Sequence, residues 1–274
     1  MIEAAVLLAA IGVADLMRAP AGSRAVSAIL GAVAGLLVAF GSMPLLGTGP
    51  WAAVAVAALL ALWLWAMTPR GGASPHRIWP AIVVLLAVGL AAVTLPAAMP
   101  ARAVAYWYAT TGPAAAGLGW TTAVVTIGVL LFLLRSTNLV VRAALNSRAA
   151  ARGSGAPDAA PRPALPSGAE GWRVRIGRRP VADVERVAAS GRRAPQLVGG
   201  RVIGPLERVL LLGLGLAGAA PVIAALVAAK GVVRFPEISA DRGTGSNAET
   251  FLVGSLTSWA IAAGGALLIW ATLG

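Results

Sequence analysis

The chain has 274 residues, of which 58% are hydrophobic and only 12% are charged, and its formal net charge is +12. A typical soluble domain is about 25% charged, so this composition excludes an ordinary soluble globular protein. The absence of cysteine excludes disulfides, thiolate metal sites and cysteine nucleophiles.

Long runs without any charge alternate with short charged segments. An α-helix needs about 20 apolar residues to cross a hydrocarbon core about 30 Å thick. Backbone groups in lipid must be paired within the segment, which favours helices over strands. The pattern therefore predicts an all-α integral membrane protein. Its charge-free runs are residues 25–69, 78–101, 103–134, 209–229 and 250–274.

The first half of the chain predicts five membrane spans. Residues 2–17 form the first, with Asp15 and Arg18 expected at the interface. The run 25–69 is too long for one helix, and its cluster of glycines and prolines predicts a tight hairpin. The aromatic residues 106–108 suit an interfacial segment, because such rings prefer headgroup depth. The remaining four spans are expected at 25–43, 51–68, 78–96 and 113–134.

Two further spans at 208–229 and 250–272 bring the expected number to seven. In a seven-span arrangement, 18 of the 22 lysines and arginines lie on one side of the membrane. The positive-inside rule places this face in the cytoplasm. The sequence thus predicts a multi-pass protein with its N-terminus outside and its C-terminus inside. Arginine outnumbers lysine 21 to 1, which is typical of a GC-rich bacterial genome and so of a bacterial plasma membrane.

Residues 136–205 are predicted to be a long basic cytoplasmic loop between an N-terminal bundle, 1–135, and a C-terminal helical pair, 206–274. Residues 149–171 read as a flexible linker. The segment 172–179 alternates apolar and arginine residues, typical of a strand or an extended segment, and 181–189 suits a short helix. The arginines favour anionic lipid headgroups or a cytoplasmic protein partner. Nucleic acid is disfavoured, because only one aromatic residue accompanies them.

Glycine motifs and hydroxyls within the apolar runs favour helix packing over chemistry. "GLGLAG" at 213–218 matches a dinucleotide fingerprint but lies inside an apolar run, so helix packing is the better interpretation. "GAVAG" at 31–35 is a GxxxG packing motif. Hydroxyl residues in the spans are expected to bond to helix turns or neighbouring helices. No catalytic, cofactor-binding or metal-binding constellation is recognised; the single histidine, His76, has no acidic neighbour.

The charged stretch 228–251 is interpreted as a loop between the last two spans. Lys230 and Gly231 are expected to close one helix, and Pro236 to prevent a helix from continuing. Ser246 and Glu249 have the spacing of a capping box for the next helix. Arg234 and Glu237 are close enough in sequence to pair, with Phe235 between them.

Three segments, "GRVIGPLERVLLL", "AAKGVVRFPEIS" and "AETFLVGSLTSW", resemble the C-terminal signature of an uncharacterised bacterial family of polytopic membrane proteins. Members are often encoded beside a SatD-like regulatory protein. The resemblance covers about 75 residues and implies no activity. The matching residues include all but one of the eight candidates selected here, which are Glu207, Arg208, Lys230, Arg234, Phe235, Glu237, Ser246 and Glu249; Ser246 is the exception.

The sequence favours a non-enzymatic scaffold or regulatory component. Glu207 and Arg208 at the inner end of the sixth span, and Lys230, Arg234 and Glu237 at its outer end, would fix the last two spans. The alternative is a transporter or channel for a small uncharged or lipid-like solute. A third hypothesis is an enzyme acting on lipid headgroups through acids of the stretch 237–249 (Glu237, Asp241 and Glu249).

Overall fold

The computed structural model describes residues 1–18, 23–67, 78–94, 100–110, 117–154, 172–176, 179–184, 200–239 and 246–273. Within them lie ten helices and one two-stranded antiparallel sheet. The helices are α1 (Ile2–Met17), α2 (Arg24–Leu46), α3 (Pro50–Met67), α4 (Trp79–Thr94), α5 (Arg102–Thr110), α6 (Trp120–Leu134), α7 (Ser136–Ser154), α8 (Gly200–Leu216), α9 (Ala220–Ser239) and α10 (Ser246–Trp270). The strands are β1 (Trp172–Ile176) and β2 (Arg179–Val184).

Helix α1 is the centre of the bundle. Twelve of its 16 residues are buried, and it packs most extensively against α2 and α6. Glycines on both neighbours allow this close approach: a Cβ at Gly128 would lie 2.5 Å from the Ala5 carbonyl oxygen, and one at Gly31 would lie 2.8 Å from that of Ala14. The prediction that 31–35 is a packing motif is confirmed.

The helices begin and end at two opposite ends of the bundle. Helices α1 and α6 run parallel, since Ala5 lies beside Gly128 and Asp15 beside Ser136. They end near Arg18 and Arg135, and we call this the basic end. Helix α2 runs in the opposite direction, because its Gly31 faces Ala14 near the end of α1.

The predicted span at 208–229 is wrong, because the chain reverses there. Helix α8 stops at Leu216, and α9 starts at Ala220. Gly218 has a φ of 67°, a left-handed conformation that glycine adopts without strain. Two glycines of the "GLGLAG" motif have different roles. Gly215 packs near α10, since a Cβ built at Gly215 would lie 3.5 Å from the Ala266 Cβ. Gly218 makes the turn.

Helix α9 then continues through the residues expected to end it. Lys230, Gly231 and Pro236 all lie inside the helix, which extends to Ser239. Helix α10 begins at Ser246, the first residue of the predicted capping box and four residues before the expected start of the span. The backbones of Glu237 and Ser246 are helical, but their side chains lie outside the described part of the structure.

The reversal at Gly218 also changes the predicted sidedness. Helix α10 runs antiparallel to α6, because Thr272 after the end of α10 meets Thr122 at the start of α6. The start of α1 lies towards that same end, where the Met1 nitrogen donates to the Ala91 carbonyl at 3.5 Å. Both ends of the chain therefore lie opposite the basic end, in contrast to the predicted N-out, C-in arrangement.

The number of helices long enough to cross a membrane is lower than predicted. Within the described residues, three are long and apolar enough, in place of seven. Helices α6 and α7, bent by 48°, add a fourth if they form one span. Helices α1, α4, α6 and α8 have only 15 to 17 residues each, below the roughly 20 that a crossing helix needs. The three are Ala25–Leu46, Pro50–Met67 and Ala248–Trp270.

The basic segment contains more regular structure than expected. Helix α7 extends through Ser154, so 149–154 is helical and not linker. The extended segment predicted at 172–179 is confirmed for 172–176, which form β1 and pair with β2 so that Trp172 lies opposite Val184. Residues 181–184 are therefore strand and not helix. The rest of the predicted helix and the linker at 155–171 lie outside the described residues.

Candidate functional site

The break between α6 and α7 positions the main polar cluster of the protein. Arg135, between the two helices, has φ −133° and ψ −45°, outside the helical region. A helix end leaves carbonyl oxygens without helical partners. The Thr137 hydroxyl donates to the Phe132 carbonyl at 3.3 Å, and Arg208 Nη1 donates to the Leu133 carbonyl at 3.0 Å. A side chain from α8 thus caps the end of α6.

Arg208 joins three parts of the bundle through one guanidinium. Besides capping Leu133, its Nε donates to Ser258 Oγ at 2.8 Å and its Nη2 to Asn138 Oδ1 at 2.5 Å. The residue is 3% exposed. The rigid planar fork of arginine suits three acceptors in fixed directions better than the single ammonium of lysine would. Arg208 therefore fixes α8 against the α6–α7 break and against α10.

The neighbouring Glu207 forms a second junction between α8, α9 and α10. Lys230 Nζ lies 2.6 and 2.7 Å from its two carboxylate oxygens. The Trp259 indole nitrogen donates to the same carboxylate at 2.9 Å. Lys230 also lies 5.3 Å from the Trp259 ring centroid, within the range of a cation–π contact. Glu207, Arg208, Lys230, Ser258 and Trp259 are called the Arg208 cluster below.

Asp15 forms a separate cluster on the other side of the break. Its Oδ2 accepts from Ser136 Oγ at 2.7 Å and from Trp63 Nε1 at 3.1 Å. Its Oδ1 accepts from Arg18 Nη1, also at 3.1 Å. Asp15 is only 1% exposed, so its carboxylate is buried inside the bundle near the basic end. The carboxylate connects α1, α3 and the start of α7.

These arrangements suit mechanical bracing better than chemistry. Both Asp15 oxygens are occupied by donors, and the Glu207 carboxylate is engaged by Lys230 and Trp259. Among the described residues, no group of three or more potential metal ligands lies together. The hydroxyls are also used internally: Thr126 donates to the Thr122 carbonyl, and Thr94 to that of Leu90, as expected for packing hydroxyls.

The structure brings together some of the predicted candidates and separates others. Glu207, Arg208 and Lys230 meet in one cluster, although Lys230 was expected at the opposite end of its helix. Arg234 and Phe235 lie on an exposed part of α9, and Glu249 is half-buried near the start of α10. For Glu237 and Ser246, only the helical backbone is described.

Sequence reasoning missed the partners of these charges. Trp259 follows Ser258 directly and lies in the third segment of the family resemblance, which was the only signal pointing to it. Trp63 and Ser136 carried no signal, since a tryptophan near a helix end usually indicates an interface. Asp15 did carry one, because an acid within an apolar helix is often buried and paired.

No protein-family model matches the chain, and no curated protein or solved structure matches it either. The function must therefore follow from the polar clusters and from the distribution of charge.

Proposed function

We propose that this protein is a multi-pass membrane scaffold that presents a basic segment to anionic lipid headgroups at the cytoplasmic face. The charge distribution carries the proposal. All lysines and arginines except Arg102 fall in residues 18–24, 70–77, 135–208 and 230–242, which are the connections at the basic end together with the adjoining parts of the helices. The sequence assigned four cations to the outer face, and only Arg102 of these remains opposite the basic end. Under the positive-inside rule, the basic end is then the cytoplasmic end.

The Arg208 cluster supplies the rigidity that a scaffold needs. Helices α7 and α8 flank the basic segment 155–199, and both are tied to α10 through Arg208, Asn138 and Ser258. The helices on either side of the segment are thus tied to the same part of the bundle. The lipid chemistry is favoured because a juxtamembrane basic segment gains about 1 kcal/mol per lysine or arginine near an anionic surface.

The family resemblance is part of this proposal. The matching residues Glu207, Arg208, Lys230 and Ser258 come from three separate segments and meet in one cluster. A signature that maintains a helix junction without an open catalytic group agrees with a structural role. We propose membership of that uncharacterised family on this ground, with the bacterial plasma membrane as the location.

Lipid retention by the purified protein tests the scaffold function. Full-length protein and a variant lacking 155–199, which keeps α7 and α8 intact, are purified in mild detergent and incubated with phosphatidylglycerol or phosphatidylcholine vesicles. We expect the full chain to retain phosphatidylglycerol selectively and the deletion to lose that selectivity. Equal retention by both proteins would contradict the proposal.

A charge-neutral variant separates charge from the presence of the segment. The fourfold change of Arg173, Arg175, Arg178 and Arg179 to glutamine keeps the length of the segment and removes four charges. We expect it to behave like the deletion. If it instead behaves like the full chain, and if a protein co-purifies that is lost only with the deletion, the segment docks a protein partner and not lipid.

A further inference from the structure

The outward face of α3 carries two exposed tryptophans about four turns apart. Trp51 is 84% exposed and Trp65 is 54% exposed. Their separation of 14 residues brings both rings to nearly the same side of the helix. Tryptophan rings prefer the two membrane–water interfaces. At a rise of 1.5 Å per residue, the two rings mark an apolar height of about 21 Å on this side of the bundle.

Helix α4, which packs beside α3, has a similar height. Its 16 residues, Trp79–Thr94, are about 24 Å long, and Arg77 precedes them by two residues. Towards its other end, the Ala91 carbonyl accepts from the Met1 nitrogen, so this end lies level with the start of α1. A tilt would only lower the height. The most exposed residues of α4 are apolar and are Leu85, Leu86, Leu90 and Val93.

Two other sides of the bundle are taller. The apolar parts of α2, Ala25–Leu46, and of α10, Ala248–Trp270, have 22 and 23 residues, or about 33 and 35 Å. Helix α10 packs mainly against α6, α7 and α8, whereas α4 packs against α1 and α3. The apolar height thus falls by roughly 10 Å from α2 and α10 to the surface formed by α3 and α4, which we call the short face. A hydrocarbon core about 30 Å thick fits the taller sides only.

The short face cannot adjust its height by moving within the bundle. The inner side of α3 is fixed to α1, because the Trp63 indole donates to Asp15 at 3.1 Å and Leu60 is buried beside it. Helix α4 buries Val84 and Val88 in the same core. A rigid surface that is shorter than the surrounding core is accommodated by thinning of the bilayer next to it. The lipid, and not the protein, must therefore yield.

We propose that the short face holds the adjacent bilayer at a core thickness of about 21–24 Å and gathers phospholipids with short acyl chains, which fill a thin core without being compressed. The partner is defined by its chain length and not by its headgroup. This inference rests on the membrane insertion in the proposed function, but it does not involve the basic segment.

Spin-label depths at paired positions measure the local thickness of the bilayer. The native chain has no cysteine, so single nitroxides can be attached to Ile82→Cys and Val93→Cys on α4, and to Leu252→Cys and Leu267→Cys on α10. All four side chains are exposed in the native protein. Each variant is reconstituted into dioleoylphosphatidylcholine vesicles, and power saturation with oxygen and a water-soluble nickel chelate gives the depth of the label below its nearer surface.

The two depths on one helix add up to the core thickness minus the distance between the labels, wherever the helix lies along the membrane normal. On α4 the labels are 11 residues apart, or about 16.5 Å, so the proposed thin core gives a sum of about 5–8 Å. On α10 they are 15 residues apart, or about 22.5 Å, so a core of about 30 Å gives about 8 Å, and this pair is the control.

A sum of about 14 Å on α4 is the value for an unthinned core and would overturn the proposal. Immobilised labels on α4 would overturn it as well, because a second copy of the chain would then cover the short face in place of lipid. The variant lacking 155–199 should give the same depths as the full chain. Loss of selective phosphatidylglycerol retention with unchanged depths would therefore concern the proposed function alone.

Competition between lipids tests the preference for short chains. Equal amounts of dimyristoylphosphatidylcholine and dioleoylphosphatidylcholine, each with a photoreactive group on its acyl chain, are cross-linked to the reconstituted protein, and the adducts on α4 and α10 are mapped by mass spectrometry. We expect the ratio of short-chain to long-chain adducts to be several-fold higher on α4 than on α10. Equal ratios on the two helices would exclude the gathering of short-chain lipid.

Discussion

Glu207 and Lys230 are 23 residues apart, and their side chains meet at 2.6 Å across the α8–α9 hairpin. This contact requires the chain to reverse between them, as it does at Gly218. The ion pair therefore belongs to the same structural feature that reverses the direction of α10. It also ties α9 to α8, with which α9 otherwise shares a small interface.

The reversal predicts which loops share a face of the membrane. The native chain has no cysteine, so Gly155→Cys, Gly243→Cys and Gly49→Cys can each be labelled individually in sealed vesicles. Gly49 lies in the α2–α3 hairpin and is exposed. We expect a membrane-impermeant maleimide to reach positions 155 and 243 from one side and position 49 from the other. Labelling of 243 together with 49 would contradict the observed hairpin.

The Glu207–Lys230 pair should contribute to stability as a unit. Glu207→Gln and Lys230→Met each leave a partly buried partner without its counter-charge. The side chains are 18% and 30% exposed, so each loss should cost roughly 1–3 kcal/mol, less than for a fully buried pair. The double variant should lose less than the sum of the two. A double-mutant cycle on thermal unfolding in detergent measures this, and strict additivity would argue against the contact.

Arg208 should tolerate no replacement, including lysine. A lysine at this position cannot reach Leu133, Asn138 and Ser258 together, so Arg208→Lys should destabilise the protein by about 3 kcal/mol or more. Amide exchange at the end of α6 should rise in the same variant. Arg142→Lys is the matched control, because Arg142 is exposed on α7, and it should unfold like the native protein. Similar unfolding of both variants would show that Arg208 is not a brace.

Substitutions in the Asp15 cluster should lower the free energy of unfolding by graded amounts. Asp15→Ala removes a buried acceptor from three donors and should cost about 3–5 kcal/mol. Ser136→Ala removes one donor and should cost about 1 kcal/mol. Asp15→Asn should fall between them, because an amide keeps one acceptor oxygen but turns a donor towards Arg18. Denaturant titration in detergent gives the order, and an unaffected Asp15→Ala would disprove the bracing role.

The close approach of α1 and α6 leaves no room for a methyl group. Gly128→Ala places a Cβ 2.5 Å from the Ala5 carbonyl oxygen, and such overpacking should cost about 1–3 kcal/mol. Gly89→Ala, where a Cβ meets nothing within 4 Å, should be neutral or slightly stabilising, because alanine is the better helix former. Thermal unfolding in detergent compares the two. An equal effect of both changes would contradict the packing.

Local signals predicted the helices α1 to α4 to within a few residues. Each of these helices ends at a charge, a proline or a glycine cluster, such as Gly47 and Gly49 before Pro50. The turn at Gly218 was missed because it is surrounded by apolar residues, so that no polar residue marks it. A signal was nevertheless present: a glycine followed closely by Pro221 is typical of one helix ending and another beginning.

The polar clusters could be predicted only in part. Glu207, Arg208 and Lys230 were candidates from the sequence, but Lys230 was expected at the opposite end of one helix from the other two. Their meeting depends on the turn at Gly218, and so could not follow from a continuous span. The Asp15 cluster depends on Trp63 and Ser136, which lie 48 and 121 residues away along the chain. Such distant partners leave no periodic pattern in a single sequence.

The central position of α1 has a consequence for biosynthesis. This helix is made more than a hundred residues before α6, the helix it packs against most extensively. Contacts so distant along the chain form late in folding. Until α6 arrives, Asp15 has neither Ser136 nor a dry environment, and the small residues that later face Gly128 have no partner. Although it is made early, α1 should thus be among the last helices to reach its native packing.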